Sequence, residues 1–424
     1  MWRKEISEDK LQKIHGEYIE TRCSSVVYHD LNTQKGDRIQ KTCKEGLSIR
    51  VIDKGRLKVA FSEKEETIND LIQSAKWKPI SDYTPVNPTT YYENQPEPVE
   101  MPVEIVKNIL ETFKGLKSAE ARLESLTLYE HICTNLGTNV YHGSSKLFVR
   151  IFLTPIKGFT IVYSFGYPGE DVTKRLEQLM EVDLGQFSDS YSIGEKQYDV
   201  VLSPHVTGMI FHEIAHLFEG SIPEIHKFPA HVSISDNPGA ERLGGYKFDS
   251  EGCEASQYTL VKDGIIHGCL ASVLEPGNRN PTGNARASSF NVQPIPRQSN
   301  LEINIHAEQH KKEELLEMVK NGVYIDQIGQ ASVFSGNIVY FTNTISYRIQ
   351  RGEISEPILN IHFGGNLFDI IKNIQYTAPA QKVIPAVCWK NYQRLFVTTR
   401  APFSLIRKMP LSCYDFTIPQ EAQS

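Results

Sequence analysis

From about residue 195 onward the sequence is written in strand-length apolar runs separated by hairpin turns, and a single helical segment interrupts them. "YTLVKDGIIHGCLAS" (258–272), "NIVYFTNTISYRIQRGEISEP" (337–357) and "RLFVTTRAPFSLI" (394–406) are of this kind. Their alternation has the period of a pleated strand, so the second half reads as a sheet domain. The interruption is "SPHVTGMIFHEIAHLFEG" (203–220). Ser203 is placed to cap a helix and Pro204 to open it, and Val206, Met209, Ile210, Ile214 and Leu217 recur at helical spacing behind them.

The first half has a different texture. Residues 7 to about 77 suggest two helices flanking antiparallel strands. In the second helix Ser62 and Glu65 form an S-x-x-E capping box ahead of Ile68, Leu71, Ile72 and Ala75. "GLSIRVIDKGRLKVAFS" (46–62) reads as two strands joined at a "DKG" turn. Six prolines between Pro79 and Pro102 then enforce an extended connector. After it, "VEIVKNILETFKGL" (103–116) is helical, residues 125–165 alternate as hairpins, and a helix spans roughly 171–180. The expected fold is α+β: an N-terminal α/β sandwich-like domain over residues 1–194, with its connector at about 79–102, followed by a mainly β domain over 195–424 that carries the unusual helix.

Charge narrows the partners. The net charge is -6, and basic residues are interspersed with acidic ones, so no polybasic face awaits nucleic acid or an anionic membrane. The first 18 residues break every apolar run with charge, which argues against a secretory signal or spanning segment and for a cytoplasmic location. Seven cysteines without C-x-x-C spacing indicate neither a disulfide framework nor a zinc ribbon.

The chemistry sits on the capped helix. His212 and His216 are one turn apart on one face, their Cβ atoms about 6 Å from each other, so both imidazoles can reach one metal ion. Glu213 lies between them, where an H-E-x-x-H site places the general base that takes a proton from water. A third ligand is needed. On a straight helix Glu219 stands about 10 Å from His212, as does His205 on the other side, so both are excluded and Glu219 reads as a supporting acid. A thiolate would complete the set, and spacing alone leaves Cys388 and Cys413 as equal candidates.

These segments together resemble the TldD/PmbA family of zinc metallopeptidases. "VVLSPHVTGMIFHEIAHLFEG" resembles its strand, helix and metal motif, and "PTGNARASSFNVQPIPRQSN" (281–300) its P-T-G-N loop. "VFSGNIVYFTNTISYRIQRGEISEPI" is similar to the hairpins that follow, and "AVCWKNYQRLFVTTRAPFSLI" to the segment supplying the third zinc ligand. The resemblance therefore selects Cys388, beside His212 and His216, for Zn2+. It implies that two related subunits, as a homodimer or a heterodimer with a TldE/PmbA-like partner, enclose a cavity. Flexible or unfolded peptides would be cleaved there, in the maturation or degradation of ribosomally made peptides. Two other readings are a non-catalytic partner subunit and a zinc hydrolase of another amide. Within the P-T-G-N loop, Asn284 and Arg286 are candidate substrate contacts, with a structural salt bridge the competing role for Arg286. The sequence departs from the family in having H-E-x-x-H where H-E-x-x-x-H is usual, and His226 and His231 follow in a Pro-rich loop, read as surface residues.

Overall fold

The computed structural model describes residues 14–35, 38–64, 67–155, 160–182, 193–224, 228–277, 280–334, 337–342, 345–359, 361–379 and 382–411. Its first half is organised around one long strand, Tyr18–Asn32, which pairs antiparallel with Gln40–Asp53 on one side and with Ser118–Thr134 on the other. Asn139–Thr154 and Ile161–Tyr167 extend the sheet, which has eight strands. The expected "DKG" hairpin is present between Gln40–Asp53 and Arg56–Ser62. Lys54 and Gly55 both take positive φ (48° and 68°), the backbone a two-residue hairpin turn demands.

The central strand is covered on both faces. Its odd-numbered residues Ile19 and Cys23 pack beneath the Ile68–Ser74 helix, and Leu31 packs with Val106 and Ile109 of the Val103–Thr112 helix. Its even-numbered residues Arg22, Val26 and Tyr28 point instead at loops of the second half. The proline connector adds one short strand, Thr90–Tyr92, parallel to Asn139–Thr154. The Val172–Leu179 helix begins where the periodicity places it, with the Asp171 carboxylate accepting from the Lys174 amide.

The second half contributes a seven-stranded and a six-stranded sheet. Lys196–Leu202 lies inside the former, parallel to Asn321–Gln327 and antiparallel to Phe403–Leu411. The six-stranded sheet ends at Val383–Lys390, which among the described strands pairs with Gln393–Arg400, while its Cys388 and Lys390 carbonyls accept from Arg297. The Pro204–Ala215 helix runs between the two sheets, sharing one apolar core with Val200 and Val323 of one and Ile234 and Leu301 of the other. This explains why the helix is apolar on nearly every side.

Two expectations need correction. The Ile68–Ser74 helix starts at Thr67, whose side chain makes no cap, while Ser62 bonds the Lys64 amide in the turn before it; Glu65 lies outside the described residues. The second half also holds more than one helix, for Lys312–Val319 and Leu367–Lys372 are helical. "KEELLEMV" buries Leu315, Leu316 and Val319, a helical spacing hidden among charged residues in a strand-rich region. The first helical pattern falls largely in residues 1–13, outside the described residues. Among the described residues, no helix is long and apolar enough to cross a membrane.

Candidate metal centre

The helix start is held twice by one side chain. Ser203 Oγ accepts from the Val206 amide at 3.3 Å and donates to the Asp326 carbonyl at 2.5 Å, which ties the helix to the neighbouring sheet. At its far end the α-helix stops at Ala215 and tightens into a 3-10 turn over His216–Phe218. The rings of His212 and His216 stand nearly perpendicular, their centroids 5.0 Å apart. Cys388 arrives from the edge strand of the six-stranded sheet, and its Sγ lies 3.1 Å from His216 Nε2. One ligand atom from each of His212, His216 and Cys388 falls within 4.8 Å of the others.

The charge state suits a metal. Burial pushes the Cys388 thiol up, but hydrogen bonds and charge from His212 and His216 outweigh it and hold the thiol at about 5. Burial alone would lower His216, yet its bonds to Cys388 and Glu219 lift it to about 10. Each group thus favours the other's charged form, thiolate and imidazolium, and a cation binding there would displace the imidazolium proton. Two imidazole nitrogens and one thiolate, packed this closely, fit a tetrahedral ion with its fourth position open.

Glu219 supports this set from behind. The 3-10 turn bends it back, so the straight-helix premise used to exclude it does not hold, although it stays outside the donor cluster. Its Oε2 meets His216 Nδ1 at 2.8 Å and Lys390 Nζ at 2.7 Å, while its Oε1 accepts from the Gln298 amide at 2.9 Å. A carboxylate on Nδ1 leaves Nε2 facing the other donors. Gln298 is buried beside the donors: its Nε2 is 3.3 Å from Nε2 of each histidine, and its Oε1 has no hydrogen-bond partner among the described residues. Arg297 lies 3.6 Å from the Glu219 carboxylate and donates to the Cys388 carbonyl at 3.2 Å; its role and that of Gln298 depend on residues 295–300 lying against the helix, which spacing does not encode. Replacing Glu219 with Gln is expected to weaken metal binding by about 10- to 100-fold, measured by chelator competition.

With this geometry in view, the likeness to known proteins becomes informative. Residues 195–412 match the profile described as the PmbA/TldA metallopeptidase C-terminal domain. The chain belongs to the PmbA/TldD family. A PmbA/TldD relative from Saccharolobus solfataricus, named a zinc metalloprotease TldD homolog, is 22% identical over 96% of this chain and 98% of its own. A metalloprotease of Methanothermobacter thermautotrophicus is 31% identical, and that match spans 50% of this chain and about half (49%) of the relative. In fold, the chain is similar to TldE from Thermococcus kodakarensis, with a TM-score of 0.74 at 15% identity over 94% of this chain and 97% of that one.

The remaining candidates of this PmbA/TldD chain divide clearly. Glu213 is partly exposed beside the histidines, with no hydrogen bond or ion pair among the described residues. Asn284 is fully buried, donating to Asp236 at 2.7 Å, and Arg286 gives its terminal nitrogens to the carbonyls of Gln298 and Phe396 at 2.6 and 2.8 Å. Both serve the interior of the fold, and Arg286 makes no salt bridge among the described residues. His205, at the helix start, is partly buried: burial pulls it down to about 4, and it accepts from the Ile328 amide. His231 is half-buried, while His226 and Cys413 lie outside the described residues.

Proposed function

We propose that the chain is a zinc metallopeptidase in which His212, His216 and Cys388 hold Zn2+ and Glu213 is the general base. The convergence of those three donors beside an unengaged glutamate carries the reading. Zinc at this position would polarise a scissile carbonyl and make water acidic enough to attack near neutral pH. The Glu213 carboxylate takes the proton from the attacking water and passes it to the leaving amine nitrogen. Glu219 keeps His216 in the tautomer that presents Nε2, and the Lys390 ammonium keeps Glu219 ionised. Four side chains with complementary tasks favour this over a non-catalytic partner subunit or a hydrolase of other amides.

Flexible peptides fit the surroundings of the site. The outer edge of Val383–Lys390 faces Ile161–Tyr167 across two adjoining cavities of about 350 and 210 Å³, both lined by Val162, Ser164, His205 and Pro385. Met209, one helical turn before Glu213, lines the second. An extended chain pairing with that strand edge would be held through its backbone, with little demand on sequence. The hairpin after Cys388 exposes Trp389 and Tyr392, which supports assembly with a second copy or a TldE/PmbA-like subunit, closing the site to folded substrates. The reading includes division of the chain at residue 194/195, a cytoplasmic location and a role in maturing or degrading ribosomally made peptides.

Metal analysis tests this reading. Wild type should carry about one zinc per chain, while Cys388→Ser should fall below about a tenth of an equivalent and lose cleavage of an unstructured peptide. Cys413→Ser should match wild type in both. Metal-free, folded wild type would refute the assignment, and a metal-free Cys413→Ser would relocate the third donor.

A further inference from the structure

Away from the metal centre, a cavity of about 60 Å³ lies where the eight-stranded sheet meets the second half. Val26, Leu126 and Leu128 form its floor, and Tyr246, Phe248, Arg286 and Phe396 reach it from the second half. Such a space holds roughly four waters, or one molecule of a few heavy atoms. Lys146 opens onto it from the same face of the sheet, directly across the strand pair from Leu126.

Lys146 is the anomaly. It is 4% exposed, yet its ammonium has no hydrogen bond or ion pair among the described residues. A buried cation in that state is costly, and each nearby carboxylate is already engaged. Glu130 pairs with Arg22 at 3.1 Å and accepts from Ser250. Asp249 accepts from the amides of Glu251, Cys253 and Ala285. Of the other two cations on the cavity, Arg394 pairs with Glu124, whereas Arg286 spends its terminal nitrogens on carbonyls and has no ion pair among the described residues; Asp236, the carboxylate in its field, is engaged by Asn284 and Ser299. Burial and the Arg286 charge together push Lys146 well below its usual range. His142 also lines the cavity, and its buried Nε2 has no hydrogen-bond partner among the described residues, with the Glu130 carboxylate 3.7 Å away.

We propose that this cavity is a binding site for a small monovalent carboxylate, whose oxygens would be held by Lys146 in the field of Arg286 and whose carbon would rest on Val26, Leu126 and Phe396. An anion entering the cavity would supply the ion-pair partner that Lys146 and Arg286 both lack among the described residues, and would hold the Lys146 amine in its charged form. A carboxylate suits a lining in which cations and hydroxyls stand beside Val26, Leu126 and Phe396, and a phosphate's second charge would be costly to bury there. The ligand's source is either a free small acid or the C-terminal carboxylate of a peptide. The Leu395 backbone joins this site to the metal centre, since Leu395 lines the cavity and pairs with Cys388 across the strand ladder. The proposal stands whether or not the zinc reading does.

Calorimetric titration with acetate tests it, using chelator-treated protein and chloride at matched ionic strength as the control. Wild type should bind acetate saturably and chloride far more weakly. Lys146→Met and Lys146→Gln should each lose at least about tenfold in acetate affinity, the loss of one charge-assisted hydrogen bond. Without acetate, Lys146→Met should melt above wild type, because it removes an unpaired buried amine; if one variant fails to fold, the other still gives the comparison. A tripeptide and its C-terminal amide separate the sources: binding of the free acid alone identifies a peptide end, whereas binding of acetate with neither tripeptide identifies a free acid. Undiminished acetate binding in both variants, equal binding of chloride, or no binding to metal-free wild type would each overturn the proposal.

Discussion

Glu213→Gln is expected to keep about one zinc per chain while peptide cleavage falls by at least 10²-fold, the order that general-base catalysis contributes. The exchange preserves size and leaves His212, His216 and Cys388 untouched, so only proton transfer is removed. Because Glu213 makes no bond that holds the helix among the described residues, the melting temperature should stay near wild type. The assay requires the assembled protein, with its partner subunit if it has one, and an unstructured peptide alongside a folded control. Cleavage by the variant at the wild-type rate would remove Glu213 from the mechanism. Equal cleavage of folded and unfolded substrates by wild type would instead refute enclosure of the site while sparing the zinc chemistry.

Arg22→Met should destabilise the protein by about 3–5 kcal/mol in denaturant unfolding, the range for breaking a fully buried ion pair. The Arg22 guanidinium is wholly buried, contacts Glu130 at 3.1 Å and donates to the carbonyls of Ser289, Phe290 and Val292. It is therefore a charged rivet between the first sheet and the loop after the P-T-G-N segment. Removing it strands both a carboxylate and three carbonyls in the interior. Adding Glu130→Leu should restore part of the loss, since the stranded charge then disappears. A single mutant within about 0.5 kcal/mol of wild type would mean that water reaches this junction and that the two halves are held elsewhere.

The sequence was most legible where local chemistry and tertiary packing agree. Ser203 and Pro204 start a helix in any context, and Lys54 with Gly55 turns a hairpin without outside help. The strands expected within residues 125–165 are present, but burial follows the pleat only locally, as at Val149, Ile151 and Leu153, because stretches such as 130–132 and 146–149 are covered on both faces. Ser62 misled because its hydroxyl found the Lys64 amide in a turn, which competes with capping. The Lys312–Val319 helix was overlooked because its three buried residues are diluted by charge. At the centre, the i, i+4 histidines were readable from the helix alone. Choosing between Cys388 and Cys413 required knowledge of which strand lies against that helix, and local spacing carries none. The buried Arg286 and Asn284 show the same limit from the other side: a polar residue in a Gly-containing loop looks available until its partners are seen.

Cys388 lies 172 residues beyond His216, on a strand that among the described residues joins its sheet through Gln393–Arg400. At roughly 5–20 residues per second of synthesis, the two histidines leave the ribosome some 10–35 s before their sulfur partner. Throughout that interval the nascent chain has two of three donors, with no sheet edge beside them. On the proposed zinc reading, the order of the chain would act as a timer: the centre would stay incomplete while an unfolded tail, an extended peptide of the kind proposed as substrate, is still emerging.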